Sequence, residues 1–563
     1  MSTVAEVSQR YVQDHAILNP IWAVMVGIEG PRGLTDFSPE GDEARADLAR
    51  STLADLADAD EVDDVGRLGR IFLSEVLKGD LALHEAGESE RLISALAGPQ
   101  SMVRQVFDLV PHSDEADWEV VADMLAGVPA AIAGYRETLQ SGLSSGRISS
   151  VRLAATVADQ CATWSAGGGG RGGRGGRAGG GGGWFSEFVS GYGNGPLAGR
   201  LSELAGAADR TYGELGSWLR DEYAPRASER DGVGDERYRL WARQLLGTVL
   251  DTEEAYEWGW QELGRLEDEK AREADKILPG AGYDEVLELL KTDRSRGIDG
   301  VEAWKAWLQD LTDRTIAQLD GRHFDIPEPL LRCEVSIPPE GSAAAPYYTP
   351  PGDAFARPGR IWFPTIGRSW FPTWDLPAIV FHEAVPGHHL QVGAVRFFHL
   401  TAAHQIGFNS AHGEGWALYA ERLMDEIGGF ELPEHRLGFL SMQAFRAARV
   451  VVDIGLHTGR KIPSCSPGAG EPWTYERAVQ YIENASGQSR AMCESEIDRY
   501  LSLPAQATCY KLGERSWLAG RQLARTRAGA SFDLKRWHSE ALALGPLGLD
   551  DLERELAKLA GGA

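Results

Sequence analysis

Three histidines and one glutamate form a cluster in the second half of the sequence. His382, Glu383, His388 and His389 lie within eight residues, directly after the mostly apolar run 376–381. Imidazole nitrogens and carboxylate oxygens are ordinary ligands of Zn²⁺ in proteins. Because so many polar groups in an apolar setting need partners, the sequence predicts a metal site here.

The spacing of these histidines does not suit a continuous helix. Two histidines on one helix share a metal when they are four residues apart, whereas His388 follows His382 by six residues. Six residues turn a helix by about 600°, so the two side chains would point about 120° apart. His389 has a better angle but lies about 10 Å further along the helix axis.

The dipeptide Pro386-Gly387 offers a solution to this misfit. Proline removes a helical hydrogen-bond donor, and glycine tolerates unusual backbone angles. We therefore predict that the helix is interrupted at residues 385–387 and that His388 returns to the face of His382. His389 is expected beside the ligands, although the residues leave open whether His388 or His389 is the second ligand.

A hydrolytic zinc site needs a third protein ligand and an open position for water. Glu414 is the predicted third ligand, and His412 is the alternative. Glu421 follows Glu414 by seven residues, returns to the same helix face and is expected to hold a ligand in place. Glu383 is expected to take a proton from the attacking water and to pass it to the leaving nitrogen.

A polar stripe marks one face of a helix predicted over 438–458. Arg446, Arg449, Asp453 and His457 lie within about 60° of one another on that face. In the functional interpretation, an arginine binds a substrate carboxylate and His457 hydrogen-bonds the reacting carbonyl, with Asp453 behind it. In the alternative interpretation, the stripe is an internal ion-pair network that holds helices together.

Two tyrosines near the C-terminus could contribute a phenol to the same site. We predict that Tyr510 donates a hydrogen bond to the oxyanion of a tetrahedral intermediate. Arg499 and Tyr500 are the second choices and are candidates for substrate binding. Ordinary packing of buried tyrosines is the alternative.

The composition excludes some classes of partner. The chain has 563 residues, 43% of them hydrophobic, and carries 56 Lys and Arg against 83 Asp and Glu, which gives a net charge of −27. Such an acidic surface repels nucleic acids and anionic membranes. Because neither an N-terminal signal pattern nor an 18-residue apolar run is found, we expect a cytoplasmic enzyme with no membrane partner.

The chain is predicted to be mainly α, with a small β-sheet just before the histidine cluster. Four regions are predicted: N-terminal helices over 1–165, a flexible Gly/Arg-rich insertion over 166–184, a helical wall of a cleft over 185–330, and a metal-site region over 331–563. Hydrophobic periodicity predicts helices over 43–56, 65–83, 197–221, 251–277, 283–290, 301–319, 412–427, 438–458, 474–484, 491–501 and 504–527.

Four motifs together resemble the bacterial family called domain of unknown function 885. They are HEAVPGHHLQ at 382–391, EGWALYAE at 414–421, DIGLH at 453–457 and the segment 499–513. That family is similar to helical zinc peptidases such as thimet oligopeptidase and the thermostable carboxypeptidases. The resemblance implies a two-lobed helical body with a deep channel, one zinc ion at its floor and short peptides as substrates.

The resemblance also implies roles for individual residues. His382 and His388 match the two histidine ligands, Glu414 matches the glutamate ligand, and Glu383 matches the base. Aligning Gly387-His388 with the Gly-His of the shorter peptidase motif favours His388 over His389. The sequence departs from that motif by two extra residues, Val385 and Pro386.

Three functions are compatible with these observations. The first is a zinc-dependent hydrolase of short peptides, either carboxypeptidase-like or oligopeptidase-like, with another divalent metal as a possible substitute for zinc. The second is a metal-dependent hydrolase of a small non-peptide amide or ester. The third is a non-catalytic helical scaffold that uses its Gly/Arg-rich insertion to bind RNA.

Overall fold

The computed structural model is mainly helical, as the sequence predicts. It describes residues 2–28, 30, 32–166, 182–339, 345–352, 355–398, 400–463 and 468–559. Apart from its first residue and its last three, the predicted Gly/Arg-rich insertion lies outside these described residues.

The helices of the first half of the chain confirm those predicted from hydrophobic periodicity. Capping defines their starts: the Ser38 side chain accepts from the backbone of Gly41, and the Asp63 side chain accepts from that of Gly66. The helices are α1 Val4–Leu18, α2 Pro20–Met25, α3 Pro39–Asp58, α4 Asp64–Glu85, α5 Pro99–Gln105, α6 Glu115–Ser145, α7 Val151–Ala166, α8 Trp184–Ser190, α9 Ala198–Trp218 and α10 Asp235–Leu246.

The second half of the chain contains more helices and all the strands. Its helices are α11 Thr252–Ile277, α12 Tyr283–Thr292, α13 Val301–Leu319, α14 Leu376–Glu383, α15 His388–Phe397, α16 Ala402–Ile406, α17 Ser410–Glu426, α18 Pro433–Thr458, α19 Tyr475–Ser486, α20 Arg490–Ser502, α21 Cys509–Ala528, α22 Leu534–Leu542 and α23 Leu549–Leu556. The helix predicted over 504–527 starts later than expected, because a short 3-10 turn over Gln506–Thr508 precedes α21.

The strands form two small sheets. They are β1 Gly297–Asp299, β2 Cys333–Ser336, β3 Tyr347–Thr349, β4 Gly359–Trp362 and β5 Trp370–Pro372. The three-stranded sheet has the order β2-β4-β3, with β2 parallel and β3 antiparallel to β4, and β1 pairs with β5. This confirms the small sheet predicted before the histidine cluster.

The chain divides into two compact units. One unit comprises Met1–Trp241 and Ser495–Pro504, and the other comprises Ala242–Glu494 and Ala505–Ala563. These limits differ from those of the four predicted regions. The second unit contains His382, His388 and Glu414, so its packing positions the predicted metal site.

Close helix packing in the second unit depends on two glycines. A β-carbon on Gly415 of α17 would lie 2.5 Å from Cα of Gly513 on α21, and one on Gly513 would lie 2.1 Å from the carbonyl oxygen of Ala411. Such contacts leave no room for a side chain. The two helices therefore approach at their backbones, next to Glu414 on α17.

The part of the chain that the structure describes contains no helix with both the length and the apolar character needed to cross a membrane.

Candidate metal centre

The helix that carries the histidine cluster is interrupted, which confirms the prediction from Pro386 and Gly387. Helix α14 ends at Glu383, residues 384–387 form a turn, and α15 begins at His388. The Val385–Pro386 peptide bond is cis. A β-carbon at Gly387 would lie 1.8 Å from the carbonyl oxygen of His382, so only glycine fits at this point of the turn.

The turn is fixed by hydrogen bonds to neighbouring backbone. The indole nitrogen of Trp416, which is fully buried on α17, donates to the carbonyl oxygen of Pro386 at 2.7 Å. The backbone nitrogen of His389 donates to the carbonyl oxygen of Ala384 at 3.1 Å. Trp416 thereby ties the turn to the helix that carries Glu414.

The interruption brings two histidines and one glutamate together. The ligand atoms of His382, His388 and Glu414 all lie within 4.8 Å of one another. Glu414 Oε2 lies 3.4 Å from His382 Nε2 and 3.6 Å from His388 Nε2. The two imidazole rings are nearly perpendicular, with an interplanar angle of 89°.

The separations between Glu414 and the two histidines suit a zinc ion. Zinc–ligand bonds of about 2.0–2.2 Å in tetrahedral geometry separate neighbouring ligand atoms by about 3.3 Å. The two measured distances from Glu414 are close to that value. Glu414 Oε2 is also buried and has no hydrogen-bond partner among the described residues, which is an arrangement that a cation would satisfy.

Glu421 orients the first histidine. Its Oε1 lies 2.8 Å from His382 Nδ1, and the side chain is 1% exposed. A carboxylate can only accept hydrogen bonds, so Nδ1 carries a proton and Nε2, which faces Glu414, is the ring nitrogen left to bind a metal. Glu421 therefore has the position that the sequence predicts for it.

The two carboxylates make the centre electrically negative. Burial lowers the pKa of His382, but Glu414 and Glu421 raise it to about 9 overall. Burial raises the pKa of Glu414, but the neighbouring imidazoles of His382 and His388 lower it overall. The raised pKa of His382 reports a negative potential at its ring, and the lowered pKa of Glu414 keeps that carboxylate ionised. Both shifts therefore favour the binding of a cation.

Glu383 directly follows His382 in the chain and interacts electrostatically with the cluster. Its side chain is buried, and among the described residues it has no hydrogen-bond partner. Burial raises its pKa, and the positive charges of His382 and His388 oppose that rise in part. A carboxyl group with a raised pKa beside a metal site is suited to accept and release a proton.

His389 has its own hydrogen bonds away from the cluster. Its Nε2 lies 3.0 Å from the carbonyl oxygen of Leu330, and its Nδ1 lies 3.0 Å from the hydroxyl of Tyr348. Burial lowers its pKa to about 4, so the ring is neutral, with Nε2 donating and Nδ1 accepting. The structure thus groups His388, and not His389, with His382.

The N-terminal part of the polar stripe on α18 reaches the centre through Glu421. Arg446 is 8% exposed, and its Nη2 lies 3.8 Å from Glu421 Oε1. The Tyr510 ring centroid lies 5.9 Å from the guanidinium carbon of Arg446 and 4.9 Å from that of Arg449. The structure therefore places Arg446 beside Glu421, and it places the Tyr510 ring beside Arg446 and Arg449.

The C-terminal part of the stripe lies elsewhere. His457 follows Arg446 by eleven residues, which corresponds to about 16 Å along the helix axis. His457 and Asp453 are fully buried, with Nε2 and Oδ1 3.6 Å apart, and Asp453 Oδ2 accepts from the backbone nitrogen of Ala505 at 3.0 Å. These contacts are those of the alternative interpretation, an internal network between helices.

Three further candidates are also found outside the donor cluster. His412 is buried, and its Nδ1 accepts from the backbone nitrogen of Leu547 at 3.4 Å. Arg499 and Tyr500 belong to the first unit, where Arg499 Nη2 and the Tyr500 hydroxyl lie 2.9 and 2.7 Å from Glu496 Oε2.

Sequence reasoning missed three residues that contact the centre or the histidine next to it. They are Tyr348, which contacts His389, Trp416, which fixes the turn, and Gln443, which donates to Glu421 Oε2 at 3.2 Å. Trp416 could have been found because it follows Glu414 by two residues in the same motif. Tyr348 and Gln443 carry no local signal.

Solved structures share this fold over nearly the whole chain. The crystal structure of the "putative lipoprotein" from Colwellia psychrerythraea has a TM-score of 0.79 at 20% identity and covers 98% of both chains. A "putative lipoprotein of unknown function" from Shewanella oneidensis has a TM-score of 0.76 at 18% identity and covers 98% of this chain and 99% of its own. At these identities the similarity concerns the fold alone.

No curated protein matches the sequence. A family model described as "Bacterial protein of unknown function (DUF885)" matches residues 20–556. The match spans nearly the whole chain and includes every residue of the candidate centre, so the protein belongs to the DUF885 family.

Proposed function

We propose that this protein is a zinc-dependent hydrolase that cleaves the amide bonds of short peptides. The observation that carries the proposal is the convergence of His382, His388 and Glu414, with the buried Glu383 directly after His382 in the chain. Three protein ligands that leave a position open are typical of a catalytic zinc site. One ion per chain is expected, and another divalent metal could take its place.

The chemistry is divided between the ion and the chain. A bound zinc ion supplies Lewis acidity toward water and toward a substrate carbonyl. Glu383 accepts the proton of the attacking water and delivers it to the leaving nitrogen, a transfer that its raised pKa favours. Glu421 keeps His382 in the tautomer and orientation that binding requires.

The substrate class rests on the surroundings of Glu421. Arg446 and Arg449 are the proposed partners of a substrate carboxylate, which favours a carboxypeptidase-like or oligopeptidase-like activity. Tyr510, whose ring both arginines face, is the proposed donor to the oxyanion. A deep channel in a two-lobed body and a cytoplasmic location complete the proposal.

Metal analysis combined with a peptide digest tests this function. The protein is purified without added metal, its zinc content is measured, and a peptide library is digested by the native chain and by Glu383→Gln. We expect about one zinc per chain and loss of cleavage in the variant. Glu253 on α11 provides a matched control, because it is exposed and lies far from the centre in the sequence. Glu253→Gln makes the same chemical change there.

Two results would contradict the proposal. Absence of stoichiometric metal together with unchanged cleavage by Glu383→Gln would contradict the proposal that this site is a zinc-dependent hydrolase. Intact peptides together with metal-dependent hydrolysis of a small amide or ester would replace the peptidase by the second candidate hydrolase.

A further inference from the structure

We propose that Gln443 and Lys511 are positioning residues of the metal centre, which act on His382 through Glu421. The inference rests on the proposed function, because it assumes that His382 binds the metal. It extends that function to a buried relay of side chains carried by four helices, α14, α17, α18 and α21.

The relay starts at the side of Glu421 that faces away from His382. Oε1 of Glu421 lies 2.8 Å from His382 Nδ1, while Oε2 accepts from Gln443 Nε2 at 3.2 Å. Gln443 Oε1 in turn accepts from Lys511 Nζ at 2.8 Å. Glu421 and Lys511 are each 1% exposed and Gln443 is fully buried, so water does not compete for these bonds.

The chemistry of the end groups fixes the orientation of the Gln443 amide. A lysine ammonium only donates hydrogen bonds, and an ionised carboxylate only accepts them. The amide must therefore present its oxygen to Lys511 and its NH₂ group to Glu421. With the amide turned around, the oxygen would face Glu421 and the NH₂ group would face Lys511, and both hydrogen bonds would be lost.

Lys511 is itself anchored on the far side of the relay. Its Nζ lies 2.9 Å from Glu262 Oε1 and also contacts Glu514. Arg422 lies 3.1 Å from Glu514 through Nε and 3.4 Å from Gln443 Oε1 through Nη2. Because several buried partners hold the Lys511 ammonium in one position, it fixes the orientation of the Gln443 amide.

Fixing Glu421 matters because the carboxylate sets the direction of the imidazole. If Gln443 cannot donate, Oε2 loses its amide partner, and the carboxylate can rotate to recover a hydrogen bond elsewhere. The imidazole of His382 is then no longer held in one orientation, and its Nε2 is not fixed toward the metal position. The expected consequence is weaker and less uniform metal binding rather than loss of the fold.

Zinc affinity of the full-length chain tests the relay. Gln443→Met has nearly the shape of glutamine but neither donates to Glu421 nor accepts strongly from Lys511. We expect zinc dissociation constants, measured by competition with a chelator, to rise about 10-fold, the lower end of the effect of groups that hold metal ligands. The visible absorption of the cobalt-substituted chain should also change, because it reports the geometry of the ligands.

Gln100→Met is the matched control. Gln100 is a fully buried glutamine of the first unit, where it donates to the carbonyl oxygen of Ser94 at 2.7 Å. This control should lose stability to a similar extent while keeping zinc affinity and the cobalt spectrum unchanged. A stability effect alone would therefore appear in both variants, whereas a positioning effect would appear in Gln443→Met only.

The possible outcomes separate the relay from the proposed function. If the native chain binds no zinc, the proposed function fails. If the native chain binds zinc and Gln443→Met binds it as tightly as Gln100→Met does, the relay is overturned. Should Gln443→Met fail to fold, Gln443→Asn keeps the amide on a shorter arm and is expected to weaken zinc in the same direction, and unchanged affinity in that variant would overturn the relay as well.

Discussion

His382 is the residue on which the candidate centre depends most, because both of its ring nitrogens have assigned partners. Nδ1 faces Glu421 at 2.8 Å and Nε2 faces Glu414 at 3.4 Å. One carboxylate fixes the tautomer, while the other shares the space in which a metal would sit. The two glutamates belong to the same helix, two turns apart, so α17 alone supplies both.

Two replacements of Glu421 should distinguish the contribution of its hydrogen bond to zinc binding from that of its charge. We predict that Glu421→Ala weakens zinc binding by about 10–100-fold, since His382 loses the acceptor that orients it. Glu421→Gln keeps an oxygen that can accept from Nδ1, so its loss should be several-fold smaller. Chelator competition measures both affinities.

Arg521→Ala is a suitable control for these variants, because it breaks an ion pair with Glu426, which lies on the same helix as Glu421. Equal zinc affinity in Glu421→Ala and in the native chain would contradict the orienting role of Glu421.

At the scale of elements, the turn between α14 and α15 decides whether the two histidines can meet. Gly387→Ala would place a β-carbon only 1.8 Å from the carbonyl oxygen of His382. The turn must then open, and His388 leaves the face of His382. We predict loss of stoichiometric zinc and of any metal-dependent activity, measured by metal analysis after dialysis.

Gly264→Ala on α11 is the matched substitution, because a β-carbon there meets nothing within 4 Å. It should keep zinc binding and gain about 0.5–1 kcal/mol of stability from better helix propensity. Retention of zinc by Gly387→Ala would show that the interruption does not depend on this glycine.

The sequence predicted the elements better than the contacts between them. Periodicity located α13 at both ends, and the chemistry of Pro386-Gly387 located the break, because both are local properties. The partners of Gln443 could not be predicted, since Glu421 and Lys511 lie 22 and 68 residues away in the chain. For the same reason the stripe on α18 looked uniform, although Arg446 faces Glu421 and His457 faces Asp453.

At the scale of the whole molecule, buried neutral histidines should make the fold sensitive to acid. Burial lowers the pKa of His404 to about 4 and that of His538 to about 3, whereas an unfolded histidine titrates near 6.5. The unfolded chain therefore binds more protons below that pH, so stability present at neutral pH is lost as the pH falls from about 6.5 toward 4.

Each such histidine should lower the free energy of unfolding by about 1.4 kcal/mol for each pH unit of acidification over that range. We predict that His538→Gln makes the fall of the urea midpoint between pH 6.5 and pH 4.5 shallower, because glutamine does not titrate. The mutation also disturbs the contact with the Tyr419 hydroxyl at 2.7 Å, so the slope and not the absolute midpoint carries the test. An unchanged slope would mean that His538 binds protons equally in the folded and the unfolded chain.

Metal binding should stabilise the second unit by an amount that grows with the logarithm of its affinity. A ligand that binds only the folded chain adds about 4.1 kcal/mol when its concentration is 1,000 times its dissociation constant. We therefore predict that the unfolding temperature of the native chain rises with zinc and falls with a chelator. The variant Glu414→Gln, which replaces an anionic ligand by a neutral amide, should respond much less to either. Calorimetry of both proteins with and without zinc measures the two shifts, and an equal response would indicate that zinc stabilises the fold from a site other than His382, His388 and Glu414.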